Sequence, residues 1–523
     1  MIVNPILLQV FRNRFIAIAE EMGVTLGRTA FSPNIKERRD YSCALFDTDG
    51  DMIAQAAHIP VHLGSMPLSV KAAIEAIEML DGDMVMLNDP FAGGTHLPDI
   101  TLVAPIYVDG SPKPAFFVAN RAHHSDVGGM TAGSMPVSTS IFQEGIIIPP
   151  TKIVSAGEID RNLFRLLLRN VRTPQEREGD FAAQVMANLT GVQRSKQLVE
   201  KYGLQQTCDY ARYFNDYAEK MLRQTIAGIP DGNYQFEDCL DSDGFSAQPV
   251  VLKLQLEIKG DSAVLDFRGC APQVKGSVNA VYAITLSAVL YCFRCLVKED
   301  VPTNAGIARP LTILTKPATV VDARFPASVA GGNVETSQRI VDLVLGALAQ
   351  AIPEQIPAAS QGTMNNTTIG GIDPRTGQPF SYYETLAGGC GATSSQDGAS
   401  AVHSHMTNTL NTPVEALEYA YPFRVTQYSL REGSGGHGQM KGGDGLVREI
   451  EMLAETEVTV LSERRRNQPF GLAGGAAGQS GCNLKIIGEH REKLPEKATG
   501  YFKTGERLRI ETPGGGGWGK TEN

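Results

Sequence analysis

The stretch "NDPFAGGTHLPDITLV", residues 88–103, holds a histidine and an aspartate three positions apart, His96 and Asp99, with Leu97 and Pro98 between them and a glycine pair just ahead. A tight turn across Leu97-Pro98 would bring positions i and i+3 together. "MVMLNDP" before it and "ITLVAPIYVDG" after it read as short strands, and "KPAFFVANRAHHSDVGG" as another strand running into a glycine turn. "LSVKAAIEAIEML" reads as a helix closed by "DGD". Working outward, residues 155–225 carry charged segments of helical period such as "VQRSKQLVEKYG", and "AGIPDGNY" marks a break near 227–234. "PVVLKLQLEIKGDSAVLDF" predicts two strands turning at Gly260-Asp261, and two buried helices are expected near 279–296 and 336–352. The pattern predicts a mixed α/β (α+β), multi-domain chain. Its regions are 1–228, α/β; 229–425, α+β; and 426–523, β-rich and glycine-rich.

Bulk numbers narrow the function classes. The chain has 523 residues, 42% hydrophobic and 20% charged, with a net charge of −10. That balance argues against non-specific nucleic-acid binding and against a basic membrane-facing surface. No apolar run is long enough to span a bilayer, and no secretory signal is visible, so a cytoplasmic protein is expected. The eight cysteines are scattered, and Cys292 and Cys295, the one CxxC pair, read as buried free thiols. Glycine, 54 of 523 residues, exceeds the average of about 7%, so many backbone positions need tight turns or close approach. "GGGGWGKT" at 514–521 fits a P-loop pattern, yet no helix follows it to present amides to phosphate. "GSGGHG" at 433–438 likewise precedes no helix start.

Five of the nine histidines fall in the first quarter: His58, His62, His96, His123 and His124. His123 and His124 end a predicted strand ahead of "SDVGG", and Asp40 sits just before an apolar strand in "ERRDYSCALFD". Two imidazoles and two carboxylates form a mixed N/O set suited to zinc, manganese or iron(II) rather than calcium or magnesium. A lone His–Asp pair is more commonly a structural hydrogen bond, so spacing leaves both readings open. Adjacent histidines on a strand face opposite ways, so at most one of His123 and His124 ligates. "GGNVETSQRIVDLVLGALAQ" reads as a glycine turn entering a helix capped by Thr336, Ser337 or a neighbour. The polar segment containing Asp397, His403 and His405 reads as an interface loop or part of a site wall. His437 reads as a solvated turn and Arg464 to Arg466 as a charged rim.

"IKERRDYSCALFD", "NDPFAGGTHLPD", "ANRAHHSDVGG", "GNVETSQR", "VHSHMTNT" and "TPGGGGWG" together resemble the hydantoinase B/oxoprolinase family. The resemblance runs the length of the chain with the motifs in order. It implies a B-type subunit of an ATP-dependent cyclic amide hydrolase opening a hydantoin, 5-oxoproline or lactam ring. A hydantoinase A-type partner would bind ATP and Mg and phosphorylate the amide oxygen, in a hetero-oligomer. It further implies a divalent transition metal (Zn, Mn or Fe) held by Asp40, His96, Asp99 and one of His123 or His124, with His123 favoured. Asp40 would be ligand or base, and Asp126 would orient a ligating histidine. The alternatives are a subunit of an ATP-dependent ketone carboxylase of the acetone/acetophenone type, and a non-catalytic assembly subunit.

Overall fold

The computed structural model describes residues 4–56, 58–108 and 111–521. Its N-terminal part is built on an antiparallel seven-stranded sheet: β1 Tyr41–Phe46, β2 Met52–Gln55, β3 Met84–Leu87, β4 Asp99–Ile106, β5 Phe116–His123, β6 Thr151–Ser155 and β7 Glu158–Ile159. The strand order is β2-β1-β5-β4-β3-β6-β7. Strands β1, β4 and β5 are buried along their whole length, because both faces of the sheet are covered. Alternate residues serve the two faces. Cys43, Leu45, Leu102, Ala104 and Val118 pack into the main core with the long helices Pro5–Thr29 and Pro174–Tyr202. Ala44, Phe46, Val103, Phe117 and Ala119 meet Met66 and Val70 of the helix Ser65–Ala76. Arg121, fully buried in β5, pins that helix: its guanidinium donates to Thr101 Oγ1 (2.8 Å), Ser65 Oγ (2.5 Å) and Ser69 Oγ (2.7 Å).

The central sheet contains Gly232–Leu240, Val250–Lys259, Ser262–Asp266 and Leu311–Leu314. Burial alternates strictly along Val250–Lys259, as expected of a sheet with one face on the core and one toward water. The helix Ser337–Ala351 covers the inner face, and Tyr282–Leu296 packs against that helix. Ahead of the second helix the chain makes one π-helical turn, Gly332–Thr336. Thr336 and Ser337 therefore do not cap it; their hydroxyls donate to the carbonyls of Val278 and Asn333.

Two further antiparallel sheets follow. One joins Pro379–Glu384, Asn366–Ile372, Thr456–Leu461 and Lys497–Phe502, and the other joins Phe423–Arg431, Gly445–Met452, Arg507–Glu511, Cys482–Ile487 and His490–Leu494. The boundary drawn at 228/229 falls between the helix Leu204–Ala227 and the strand Gly232–Leu240, but one hydrophobic core runs continuously from Phe11 to Ile356. The boundary at 425/426 falls inside Phe423–Arg431. Arg464 and Arg465 are buried, not a solvated rim. Arg464 Nη2 bridges Asp342 (2.7 Å) and Asp238 (2.8 Å), tying the C-terminal sheets to the central helix and strand.

The glycine-rich tail is interior. Gly515 N–H donates to the Gly443 carbonyl (2.9 Å), and the Gly515 carbonyl accepts from Gly436 N–H (2.8 Å). A Cβ on Gly515 would lie 2.0 Å from the Cys390 carbonyl oxygen. Backbone is layered on backbone here, which explains the glycine excess and leaves the P-loop-like amides committed. Gly515→Ala must displace main chain and is expected to lower stability by at least about 3 kcal/mol. Gly500→Ala, where a Cβ meets nothing within 4 Å, should stay within about 0.5 kcal/mol of wild type. Urea unfolding of the two variants checks the contrast.

Candidate metal centre

Strands β4 and β5 pair in a register that places Asp99 directly opposite His123. The turn leading into β4 is closed by Asp99 N–H on the His96 carbonyl (3.1 Å). Asn88 clamps it from outside: its Nδ2 donates to the carbonyl of Leu97 (2.8 Å), and its Oδ1 accepts from Ile148 N–H (2.7 Å). Gly93 has φ +82°, and a Cβ there would meet the Leu68 carbonyl group at 2.5 Å. Only glycine fits that position.

Three donor atoms converge. His96 Nε2, Asp99 Oδ1 and His123 Nδ1 form a triangle whose three edges are each 3.2 Å. Ligands held about 2.0–2.2 Å from one transition-metal cation lie roughly 3.0–3.4 Å apart, so this face fits such an ion. Among the described residues these are the histidines, cysteines and acids grouped closely enough to hold a metal ion. The second Asp99 oxygen, Oδ2, accepts from Thr95 Oγ1 (2.5 Å) and faces His62 Nε2 at 3.4 Å. His62 Nδ1 in turn meets Ser42 Oγ at 2.9 Å. Behind the triangle, Tyr383 stacks on His123 with ring centroids 4.5 Å apart, and the Arg38 guanidinium covers the other side of Tyr383 at 4.8 Å.

Electrostatics fit the same use. Burial alone would raise the Asp99 pKa, but His96 and hydrogen bonds from His123 and His62 hold it well below the usual carboxylate range. Burial lowers His123 and His62, against the pull of Asp99. An ionised Asp99 beside His123 and His62, which burial keeps from protonating, suits cation binding. Adjoining the triangle is a small cavity of about 20 Å³ lined by Asp40, His62, Asp99, His123, Asn333 and Tyr383, among others. That is room for one water-sized group.

The structure brings His96, Asp99 and His123 together and places Asp40 on the cavity wall, 7% exposed. It turns His124 away, with Nε2 on Gln184 Oε1 (3.0 Å) and the ring against Phe181. Asp126 needs a correction. Both its oxygens are taken by Arg172, by the backbone N–H at 2.7 Å and Nη1 at 2.8 Å, so it orients that arginine and not a histidine. Met406, Thr407 and Thr409 line the cavity, making "VHSHMTNT" part of the wall. Asp397 instead caps a turn by accepting from Lys441 N–H. His62, Asn333 and Tyr383 are site residues that the sequence reading did not single out. His62 stood out only as one more histidine in the cluster, and the other two lie far along the chain.

A family profile described as "Hydantoinase B/oxoprolinase" matches residues 4–521. The chain belongs to this family. It is 41% identical to 5-oxoprolinase 1 of Arabidopsis thaliana over 544 residues, covering 99% of this chain and 42% of that protein. The chain thus spans about two-fifths of the length of that relative. The crystal structure of ATP-dependent caprolactamase from Pseudomonas jessenii superposes with a TM-score of 0.92 at 29% identity, covering 99% of this chain and 92% of that one. A nucleotide-free acetone carboxylase structure gives 0.89 at 19% identity, over 99% and 76%; that likeness shows a shared fold.

His124 supplies a pH test that is separate from the triangle. Burial, then the nearby Arg177 charge, push it down to about 4. The unfolded chain takes up a proton near pH 6.5 and the folded chain does not, so this residue erodes stability as pH falls from about 6.5 toward 4. His124→Gln should gain on wild type by up to about 3 kcal/mol between pH 7.5 and pH 4. Urea unfolding at the two pH values reads the difference.

Proposed function

We propose that this chain is the B-type half of an ATP-dependent cyclic amide hydrolase and carries the hydrolytic site. The observation that carries the reading is the equilateral face of His96 Nε2, Asp99 Oδ1 and His123 Nδ1 beside a small cavity lined by the Asp40 carboxylate. His96, Asp99 and His123 would hold a divalent cation of the zinc, manganese or iron type. When bound, such an ion supplies Lewis acidity and makes water a competent nucleophile near neutral pH.

The protein groups have separable tasks. An unstrained amide resists water because its carbonyl is resonance-stabilised. ATP-dependent phosphorylation of its oxygen removes that protection and creates a leaving group. We assign that step to an A-type partner; the P-loop-like tail of this chain spends its amides on backbone carbonyls. Asp40 faces the cavity and is the base that takes a proton from the attacking water. The Asp99 carboxylate stays anionic, held by Thr95 and His62 on its far oxygen. Tyr383, clamped by Arg38, fixes the ring plane of His123. The relatives named as 5-oxoprolinase and caprolactamase support a cyclic amide as substrate.

The test is an assay of the chain with an A-type partner, ATP and candidate rings: 5-oxoproline, hydantoin and caprolactam, each with and without bicarbonate. Ring opening coupled to ATP cleavage and indifferent to bicarbonate is expected, with Asp40→Asn lowering kcat at least about 100-fold. Product formation that requires bicarbonate would instead establish a carboxylase subunit. Full activity in both Asp40→Asn and His123→Ala would reduce this chain to an assembly role.

A further inference from the structure

Asn333 is 4% exposed and lines the same cavity as Asp40, Asp99 and His123. Its Nδ2 lies 3.1 Å from His96 Nε2, matching the edges of the donor triangle. Its Oδ1 is buried and has no hydrogen-bond partner. Buried amide oxygens are rarely left so, and each such case asks for a ligand or a function.

The presentation of this side chain is equally unusual. Asn333 belongs to the single π-turn Gly332–Thr336. Such turns are rare and concentrate at functional sites. The turn is locked on all sides. Gly332 N–H donates to the Ser277 carbonyl (2.8 Å), and a Cβ on Gly332 would sit 1.9 Å from the Asn279 carbonyl oxygen. Ser337 Oγ donates to the Asn333 carbonyl (2.6 Å). Glu335 Oε1 accepts from Asn366 Nδ2 (2.6 Å) and Met364 N–H (3.1 Å). The backbone cannot swing, but a carboxamide can exchange its two ends by a half turn, since oxygen and NH2 have nearly the same shape.

We propose that Asn333 is a further protein donor to the cation beside His96, Asp99 and His123, through its carboxamide oxygen. The inference rests on the cation reading of the His96–Asp99–His123 face. A cation on that face takes the lone pair of His96 Nε2, which then cannot accept from an amide N–H, so the oxygen end is selected. A neutral carboxamide adds a donor without adding charge beside Asp99. It also joins two regions at one point, because the triangle comes from the N-terminal sheet and Asn333 from the head of a central helix.

The experiment titrates the full-length chain with Zn2+ and with Co2+ against a fluorescent chelator, and records the visible Co2+ spectrum. Wild type, Asn333→Ala, Asn333→Asp and His96→Ala are compared, each checked for a cooperative thermal melt. Asn333→Ala should weaken binding at least about tenfold, by analogy with loss of groups that hold metal ligands, and should alter the Co2+ spectrum. Asn333→Asp, which replaces a neutral donor with an anionic one, should tighten binding and shift the spectrum. Wild-type affinity and spectrum in Asn333→Ala, with binding lost in His96→Ala, overturns the role of Asn333 and leaves the triangle standing. If Asn333→Ala does not fold, an Asn333→Asp variant that binds Co2+ as wild type does overturns it equally. If the wild-type chain binds neither ion, both readings fall together.

Discussion

An ionised carboxylate moved from water to a protein interior costs several kcal/mol unless charge or hydrogen bonds replace its hydration. Asp99 is 1% exposed. Its two oxygens are served from different directions: Oδ1 by His96 and His123, Oδ2 by Thr95 and His62. Meeting that requirement fixes much of the N-terminal architecture. The turn at Leu97-Pro98 must close to bring His96 round, β5 must end in register opposite Asp99, and the short helical turn Pro60–His62 must reach across from beyond β2. Both faces of the sheet must also be covered, so that water does not dissolve the arrangement.

The outer supports continue the same logic. Asn88 staples the turn to the chain beyond it, near Ile146 and Ile148. Arg38, itself wholly buried, spends its guanidinium on Tyr383, Thr385 and Leu410 while covering the Tyr383 ring. The wall of the site is thus assembled from stretches spread between Asp40 and Thr409, and the central and C-terminal regions are fastened to each other by the Arg464–Asp342–Asp238 bridge.

What the sequence revealed follows the range of the interactions. His96 and Asp99 were legible because three residues and a proline turn join them. The strands around them were legible because they are apolar and bounded by glycine and aspartate. The choice between His123 and His124 was not, since parity depends on where β5 begins pairing, and only the register shows that His123 is the one opposite Asp99. Asn333 contacts His96 across 237 positions, and no local pattern carries such a contact. Asp126 sits close to the histidines in sequence, yet Arg172, 46 positions on, claims it. The region boundaries misled for a related reason: composition changes near 229 and 426, but burial does not divide there. The tail resembled a phosphate loop because packing backbone on backbone and cradling phosphate both call for glycine.

The most direct measurement is the transition-metal content of the purified chain by elemental analysis, with His96→Ala and His124→Gln prepared alongside. The account predicts about one first-row metal ion per wild-type chain, retained in His124→Gln and lost in His96→Ala. A well-folded wild-type chain that neither contains nor takes up a metal ion, or a His96→Ala chain that keeps one, would contradict it.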